Sequence, residues 1–194
     1  MPIALAQKAI DDSARAMASA PAEALAGAAR TLAHTLADGG TIYICGNGGS
    51  ASQAQHFAAE FVGRFLMERP ALASVALTTD SSILTAIGND YGFELVFARQ
   101  VRALMKPVDL LWGLSTSGRS PNVLKAFQAA KEIGAKTLFM CGAKAPEELD
   151  LDSILTAPTP DTPRVQEMHL LYGHTLCHLV EHLLFAAPGE LDKS

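Results

Sequence analysis

The sequence predicts an α/β fold with three layers (αβα), in which a doubly wound, five-stranded parallel sheet lies between helices. Short apolar runs rich in β-branched and aromatic residues alternate with longer segments of helical periodicity, as expected for strands linked by crossover helices. Two helical segments precede the first strand, and a long one follows the last. The 194 residues suffice for one well-buried domain. Since we find no internal repeat or linker, we assign residues 1–194 to a single domain.

The first part of the chain, about residues 3–38, is predicted to form two helices. From Ile3 to about Ala20, apolar and polar residues alternate at helical spacing. Pro21 then stands near the first position of a second helix, which Gly39 and Gly40 end. These helices either cover a face of the sheet or pack against a partner subunit.

The predicted αβα core extends over about residues 41–157. Its five strands are short apolar runs: Thr41–Cys45, Ala73–Leu77, Leu110–Leu114, Lys136–Cys141 and Asp152–Thr156. The helix after the first strand is predicted to continue through Phe65, and a short helix from about Thr78 is predicted to be broken by residues 88–92. Two further helices are predicted over Phe93–Met105 and Val123–Ile133. A proline-rich connector then leads to a C-terminal helix over about residues 164–185.

Composition and charge exclude several classes of function. A net charge of −5 argues against a nucleic-acid partner, because such binding needs a basic face. No segment reaches transmembrane length and no basic start precedes an apolar run, so we expect a cytoplasmic protein that does not bind a membrane. The three cysteines are too scattered for a disulfide framework, and we expect Cys45 and Cys141 to be buried thiols. With 49% hydrophobic and 18% charged residues, the composition favours an oligomer.

Two loops that follow predicted strands carry ligand-binding features. The first, GNGGS at residues 46–50, lets the backbone turn sharply and approach a ligand. The second, STSGRS at residues 115–120, offers several hydroxyls in front of a helix N-terminus, where free N–H groups favour an anion. The first loop has neither the acidic partner of a dinucleotide motif nor the Lys-Ser/Thr of a P-loop. Ligands of parallel sheets bind beyond the carboxyl ends of the strands, so we expect both loops at one edge, around a phosphate.

His56 and Glu60 lie four residues apart on the helix that follows the first loop. This spacing puts both side chains on the same face of the helix. An imidazole and a carboxylate in this arrangement are typical of a metal site or of an acid–base pair, and the two residues alone leave both alternatives open.

Four motifs of this chain resemble those of the phosphoheptose isomerases in the SIS (sugar isomerase) family. They are CGNGGSASQAQHFAAEFVGRF, TAIGNDYGF, GLSTSGRSPNV and RVQEMHLL with a later histidine, in the same order and over nearly the whole chain. The resemblance implies a homotetramer of αβα subunits with active sites at subunit interfaces and a Zn2+ ion in each subunit. It also implies isomerisation of D-sedoheptulose 7-phosphate to D-glycero-D-manno-heptose 7-phosphate, the first step of ADP- or GDP-heptose synthesis for lipopolysaccharide or other surface glycans.

The resemblance further implies a role for each matching residue. The residues that contact the sugar would be Asn47, Gly48, Gly49, Ser50, Asn89 and Asp90. Those that hold the phosphate would be Ser115, Thr116, Ser117 and Ser120. The metal ligands would be His56, Glu60, Gln166 and His174. Glu60 would also be the catalytic base and His174 the acid, with Glu60 and Gln166 in contact with the substrate. The chemistry agrees, because moving a proton between adjacent carbons needs a base and an acid, and this donor set suits zinc.

Three features of the C-terminal part leave the metal ligands and the exact sugar undecided. Gln166 and His174 lie eight residues apart, about 12 Å along a straight helix. Either Gln166 sits at a distorted helix start, or the metal ligands come from different subunits. His174, His178 and His182 recur at one-turn intervals and offer a separate metal stripe, although we assign only His174 to function. Where the family often has Asp, this chain has Pro163, which leaves the exact sugar and the stereochemistry open.

Two other interpretations stand beside the isomerase. A replication-initiator-associating protein of the same family uses the fold as a tetrameric binding scaffold, and several phrases of this chain resemble it equally. That branch lacks the carboxylate at the Glu60 position and the imidazole at the His174 position, and this chain has both, which favours the isomerase. The other alternative is an isomerase or binding domain for a different sugar phosphate, because hydroxyls and glycines recognise the phosphate better than the sugar.

Overall fold

The computed structural model describes residues 1–145 and 150–191, so residues 146–149 and 192–194 of the predicted domain lie outside the described part. One sheet contains five parallel strands: β1 (Ile42–Cys45), β2 (Ser74–Ala76), β3 (Leu110–Ser115), β4 (Lys136–Cys141) and β5 (Ser153–Thr156). They pair in the order β2-β1-β3-β4-β5. Because β2 lies on one side of β1 and β3 on the other, the direction of winding reverses between β1 and β3. The predicted doubly wound sheet is therefore confirmed.

The helices surround this sheet in the predicted chain order. They are α1 (Pro2–Ala18), α2 (Ala22–Ala37), α3 (Gly49–Val62), α4 (Ser81–Tyr91), α5 (Val96–Leu104), α6 (Pro121–Ile133) and α7 (Thr162–Glu181). Short 3-10 turns occur at Phe93–Leu95 and Pro188–Glu190, and a π-helical turn at His182–Ala186 extends α7. The long C-terminal helix is therefore present, as expected.

The hydrophobic core lies on both faces of the sheet. Successive strand residues point to opposite faces, so Leu110, Trp112 and Leu114 of β3 pack in one cluster with α2, α3 and α7. Leu111 packs in a second cluster, with α5 and α6. Every residue of β3 is buried, as expected for a central strand covered on both faces. The structure thus has the three layers that the sequence predicts.

Helix α1 lies on the outside of this arrangement. It contacts α7, where Ser13 Oγ donates a hydrogen bond of 2.6 Å to Glu167, and none of its own residues is buried. Its apolar residues Ile3, Leu5 and Ile10 are 86%, 66% and 61% exposed. The helix therefore carries an apolar surface that a single chain leaves in water.

Helix α3 ends at Val62, so the prediction that it continues through Phe65 is wrong. In a longer helix the Phe65 amide would donate to the Phe61 carbonyl. Here that amide donates to the Glu181 carboxylate at 2.8 Å, and the Arg69 guanidinium donates to the Phe61 carbonyl at 2.7 Å. Two side chains from outside the helix thus take over the groups that would have closed the next helical turn.

Helix α4 runs through Tyr91, so it ends inside the predicted breaking stretch of residues 88–92, at Gly92 rather than directly after Ile87. A glycine inside a helix costs only about 1 kcal/mol relative to alanine, which does not suffice to end a helix. The helix begins where the Asp80 side chain accepts a hydrogen bond from the Ile83 amide. It ends at Gly92, whose φ of 93° lies outside the helical region.

Candidate active site

The two predicted ligand loops meet at one edge of the sheet. β1 and β3 are neighbours in a register that pairs Cys45 with Gly113, so the loops after them leave the sheet side by side where the winding reverses. The carboxamides of Asn47 and Asn122 join the loops through two hydrogen bonds of 2.9 and 2.8 Å. Our sequence reasoning missed Asn122. The available signal was its position at the start of α6, directly behind the hydroxyl loop.

The glycine turn after β1 brings its backbone close to α7. Gly48 has a φ of 54°, a left-handed conformation that glycine adopts without strain. A Cβ atom on Gly49 would lie 2.3 Å from Nε2 of Gln166, so the Gln166 side chain lies directly on the Gly49 backbone. Ser50 is buried in the first turn of α3, and its amide donates to the Asn47 carbonyl at 2.9 Å. The turn residues predicted to contact the sugar therefore lie between β1 and Gln166.

The loop after β3 gathers hydroxyl groups in front of α6. Ser115 Oγ lies 2.8 Å from Ser120 Oγ and 3.4 Å from Ser117 Oγ. Gly118, with a φ of 69°, turns the chain between them. Ser120 precedes the first residue of α6, and its side chain makes no capping hydrogen bond to the helix. Thr116 lies in the same loop and is half-buried. This arrangement of hydroxyls at a helix N-terminus suits a phosphate group.

Two histidines and a glutamate come together between α3 and α7. His56 Nε2 lies 2.7 Å from His174 Nε2 and 3.5 Å from Glu60 Oε1. The three potential ligand atoms all lie within 4.8 Å of one another. Ligands of a tetrahedral zinc ion, each about 2.1 Å from the metal, lie about 3.4 Å apart, and imidazole nitrogen and carboxylate oxygen are its usual donors. Glu60 Oε1 stands at about this distance from His56, and the two imidazole nitrogens would move apart by about 0.7 Å to bind one zinc ion. The three residues therefore offer the donors of a zinc site.

Gly173 explains why α3 and α7 approach each other so closely. A Cβ atom on Gly173 would lie 2.2 Å from the Phe57 ring, so a larger residue requires the helices to move. Phe57 is stacked on Trp112 of β3, with ring centroids 5.1 Å apart and an angle of 9° between the planes. His174 follows Gly173 in the chain, so this contact sets its distance from His56. Our sequence reasoning missed Gly173. The available signal was its position inside an apolar helical segment, where a glycine usually has a packing role.

The environment of His174 favours its neutral form. Burial lowers the pKa of His174 and the neighbouring His56 lowers it further, against an opposing effect of the Glu60 carboxylate. The ring is also stacked on Phe65, with centroids 5.4 Å apart. A neutral imidazole has a lone pair that can bind a metal ion. The lowered pKa therefore agrees with a ligand role near neutral pH.

Gln166 lies away from the histidine pair of its own subunit. It is the fifth residue of α7, which is regular over Thr162–Glu181, so the distorted helix start is not observed. Its backbone carbonyl accepts a hydrogen bond of 2.7 Å from Gln53. Its side chain lies on Gly49, which is seven residues, or about 10 Å along α3, from His56. The structure thus brings together three of the four residues predicted to bind metal.

Asn89 and Asp90 lie apart from the residues described so far. Both are exposed in the last turn of α4, where Asn89 Nδ2 donates to Asp90 Oδ1 at 2.8 Å. Among the described residues, we find no hydrogen bond that joins them to the glycine turn or the histidine pair. Pro163, at the position where the family often has Asp, is the second residue of α7, where proline breaks no helical hydrogen bond.

The remaining sequence predictions concern a second metal stripe, the cysteines and membranes. Within residues 1–145 and 150–191, no other His, Cys, Asp and Glu side chains form a comparable group of three, and His182 instead pairs with Glu190 at 3.4 Å. The cysteines are buried and free of disulfides, as expected for Cys45 and Cys141, and burial raises the pKa of the Cys141 thiol to about 11. In the part of the chain that the structure describes, no helix combines the length and apolar character needed to cross a membrane.

Comparisons with known proteins agree with this geometry. The family model of the SIS domain matches residues 7–142. The phosphoheptose isomerase of Maridesulfovibrio salexigens is 55% identical over 164 residues, which are 84% of this chain and 80% of that protein. The phosphoheptose isomerase of Nitratidesulfovibrio vulgaris is 59% identical over 155 residues, which are 79% of this chain and 74% of that protein.

Solved structures extend the likeness to the fold. The phosphoheptose isomerase of Neisseria gonorrhoeae has a TM-score of 0.87 and 42% identity, over 93% of this chain and 99% of its own. That of Francisella tularensis has a TM-score of 0.88 and 35% identity, over 93% of this chain and 98% of its own. Likeness at this level extends over nearly all of each chain. The protein is therefore an enzyme, an isomerase, and it belongs with the phosphoheptose isomerases in the SIS domain family.

Proposed function

We propose that this isomerase converts D-sedoheptulose 7-phosphate to D-glycero-D-manno-heptose 7-phosphate, the first step towards ADP- or GDP-heptose precursors. The observation that carries the proposal is the cluster of His56, Glu60 and His174 between α3 and α7. An acid–base and metal centre and a phosphate-binding site are the two parts that an aldose–ketose isomerase of a sugar phosphate needs. The names of the relatives at 55% and 59% identity indicate the sugar.

The phosphate would bind in the serine loop. The hydroxyls of Ser120 and Ser117 lie 2.8 and 3.4 Å from that of Ser115, and Thr116 adds a fourth. The N-terminal end of α6 carries partial positive charge, although its first residue, Pro121, has no N–H and the Val123 amide already donates to the Ser120 carbonyl. Together these groups form a local anion site in a chain whose formal net charge is −5.

The sugar would lie along the glycine turn. Asn122 holds the Asn47 carboxamide in one orientation through two hydrogen bonds, so Asn47 can present its remaining hydrogen-bonding capacity to a sugar hydroxyl. Gly48 and Gly49 leave their backbone open to the ligand. Ser50 and Gln166 border the same turn, and we assign both to substrate contact.

Glu60 would move the proton between the two carbons of the isomerisation. It takes a proton from C1 of the ketose to form an enediol and returns it to C2, while a second proton passes from O1 to O2 with His174 as the acid. This transfer moves the carbonyl from C2 to C1, and no other atom is gained or lost. Glu60 and His174 face each other across the gap between α3 and α7, so one enediol can contact both.

His56, Glu60 and His174, with Gln166 as a fourth ligand, would hold one Zn2+ in each subunit. When bound, the ion supplies positive charge next to the oxygen that becomes negative in the enediol. A nitrogen that binds a metal carries no proton, so His174 donates only through the ring nitrogen that the metal leaves free.

We further propose that the single domain of residues 1–194 assembles into a homotetramer with active sites at subunit interfaces. Two observations support this assembly. The apolar residues of α1 that a single chain exposes to water would be buried against another subunit. In addition, Gln166 lies about 12 Å along α7 from His174, and Asn89 and Asp90 lie apart from both. Ligands supplied by a neighbouring subunit would complete each site.

Turnover and zinc content test the proposed function. Purified protein should convert D-sedoheptulose 7-phosphate, and Glu60→Gln should lower kcat by about 100- to 10,000-fold, because it removes the base but keeps the size of the side chain. The matched control is His178→Ala, an exposed histidine on the same helix, which should keep the wild-type kcat. By elemental analysis, His56→Ala should lose the zinc that His178→Ala retains.

Several outcomes would contradict the proposal. A wild-type kcat in Glu60→Gln would show that Glu60 is not the catalytic base. An unchanged zinc content in His56→Ala would show that the metal binds elsewhere. Turnover of other ketose phosphates without turnover of sedoheptulose 7-phosphate would show that the enzyme acts on a different substrate from the one proposed. Absence of any turnover with added zinc, together with binding of a replication initiator, would favour the scaffold.

A further inference from the structure

A buried ion pair closes the gap between α3 and α7 beyond the proposed catalytic residues. Arg69 Nε donates to Glu181 Oε1 at 3.0 Å, and each side chain is only 1% exposed. Arg69 lies in the segment after α3, and Glu181 is the last residue of α7. The mechanism proposed above uses neither residue. A buried pair of opposite charges costs desolvation energy, so its presence is weak evidence for a role in stability alone.

Glu181 holds the segment that follows α3. Its two carboxylate oxygens accept hydrogen bonds from the backbone amides of Phe65, Leu66 and Met67, at 2.8, 2.9 and 3.0 Å. Burial raises the pKa of Glu181, but the three amides and the Arg69 guanidinium outweigh burial and hold it below its usual range. The carboxylate is therefore ionised, and four donors fix its orientation.

Arg69 holds the C-terminal end of α3. Nη2 donates to the Glu60 carbonyl at 2.7 Å, and Nη1 donates to the Phe61 carbonyl at 2.7 Å and the Gly63 carbonyl at 3.2 Å. The last carbonyls of a helix lack partners within the helix and carry partial negative charge. A guanidinium presents its donors in a rigid planar fork, so it fixes both the distance and the direction of the carbonyls it binds.

The pair acts on the backbone of the proposed base and on the helix of the proposed acid. The Glu60 carbonyl is one of the acceptors of Arg69. His174 precedes Glu181 by seven residues, two turns of α7, and therefore lies on the same face of the helix. The contact of Gly173 with Phe57 fixes the two helices on one side of the His56–His174 pair, and the ion pair fixes them on the other.

We propose that Arg69 and Glu181 are positioning residues, which hold Glu60 on α3 and His174 on α7 in the register that proton transfer and metal binding require. The inference rests on the roles proposed above for Glu60 and His174. Neither Arg69 nor Glu181 touches the substrate. Their effect passes through the Glu60 backbone and through the spacing of the two helices.

Three variants test this role. Glu181→Gln keeps the shape of the side chain but turns an NH2 group towards backbone N–H donors. Arg69→Lys keeps the charge and loses the fork, and Arg69→Met loses both. The matched control is Val101→Ala, a fully buried residue in the core cluster on the opposite face of the sheet, which lowers stability without touching α3 or α7.

The expected result is a split between kcat and KM. Each variant at Arg69 or Glu181 should lower kcat about 10- to 100-fold, as changes to groups that orient metal ligands do. KM should stay within about threefold, because the serine loop after β3 is not touched. The metal-free protein should bind Zn2+ about 10- to 100-fold more weakly in a chelator competition, and amide hydrogen exchange at residues 65–67 should accelerate. Arg69→Lys should recover thermal stability relative to Arg69→Met without recovering kcat.

Three outcomes would overturn the inference. One is a wild-type kcat and Zn2+ affinity in folded Glu181→Gln. The second is an equal loss of kcat in Val101→Ala at a matched melting temperature, which would assign the effect to stability alone. The third is full recovery of kcat in Arg69→Lys. Where Arg69→Met does not yield folded protein, Arg69→Lys and Glu181→Gln decide. If the wild type turns over no sugar phosphate, the proposed function fails, and the Zn2+ affinities of the variants still decide the positioning role.

Discussion

Replacing Gly173 by alanine should impair the active site although alanine is the better helix former. The added Cβ would lie 2.2 Å from the Phe57 ring, whereas carbon atoms in contact lie about 3.5–4.0 Å apart. Relief therefore requires a shift of about 1.3–1.8 Å. Phe57 cannot move freely, because it is stacked on Trp112 at 5.1 Å. Helix α7 must therefore move away from α3, and the 2.7 Å separation of the His56 and His174 nitrogens widens.

The size of the effect follows from two opposing contributions. Alanine gains about 1 kcal/mol of helix propensity over glycine, and overpacking a core costs about 1–3 kcal/mol. Gly173→Ala should therefore lower the free energy of unfolding by at most about 2 kcal/mol. The effect on activity should be larger, because a misplacement of about 1 Å at a reacting group costs about 100-fold. We expect kcat to fall about 100-fold and bound zinc to be lost.

Gly27→Ala is the matched control for this prediction. Gly27 also lies inside a helix, α2, but no atom lies within 4 Å of an added Cβ there. The same substitution should therefore stabilise the fold by about 1 kcal/mol and leave kcat unchanged. Urea unfolding, kcat and zinc content measured on both variants decide the matter. The reasoning is refuted if Gly173→Ala is as stable as Gly27→Ala and keeps the wild-type kcat and zinc.

Two further predictions concern the phosphate site and pH. Ser120→Ala should raise KM about 10- to 100-fold, because a hydrogen bond to a charged group contributes about 1.5–3 kcal/mol. Its melting temperature should stay unchanged, and an unchanged KM would place the phosphate elsewhere. Burial lowers the pKa of His169 to about 4, against an opposing effect of the Cys141 backbone. The unfolded chain thus binds more protons between pH 6.5 and 4, so stability should fall by about 3 kcal/mol as pH falls through this window. Urea unfolding at pH 6.5 and at pH 4 should show this loss of stability in the wild type and not in His169→Phe. An equal loss in the two proteins would contradict the assignment to His169.

Much of the fold could be predicted from local patterns. The strand runs, the long last helix and the order of elements follow from apolar periodicity and from proline and glycine positions, which act within a few residues. The error at the end of α3 arose where groups outside the helix replaced local ones. α3 ends early because Glu181 and Arg69, from outside the helix, take its amide and carbonyl partners. α4 continues past Gly88 and ends at Gly92 instead.

The candidate site divides in the same way. His56 and Glu60 could be paired from their spacing of four, because helix geometry alone puts them on one face. His174 could be associated with them only through the resemblance to known isomerases, since it lies 118 residues further along the chain. Asn122 and Gly173 went unnoticed, because their roles consist of contacts with Asn47 and Phe57 that no local pattern encodes.

The sequence by itself determined the parallel α/β architecture, the glycine turn at residues 46–50 and the hydroxyl loop at residues 115–120. These depend on the backbone preferences of neighbouring residues. Only the tertiary structure decided that His56, Glu60 and His174 meet while Gln166 lies on Gly49. The physical reason is that the register of α3 against α7 depends on side-chain volume at Gly173 and on the buried Arg69–Glu181 pair. Those contacts exist only once the sheet has brought the two helices together.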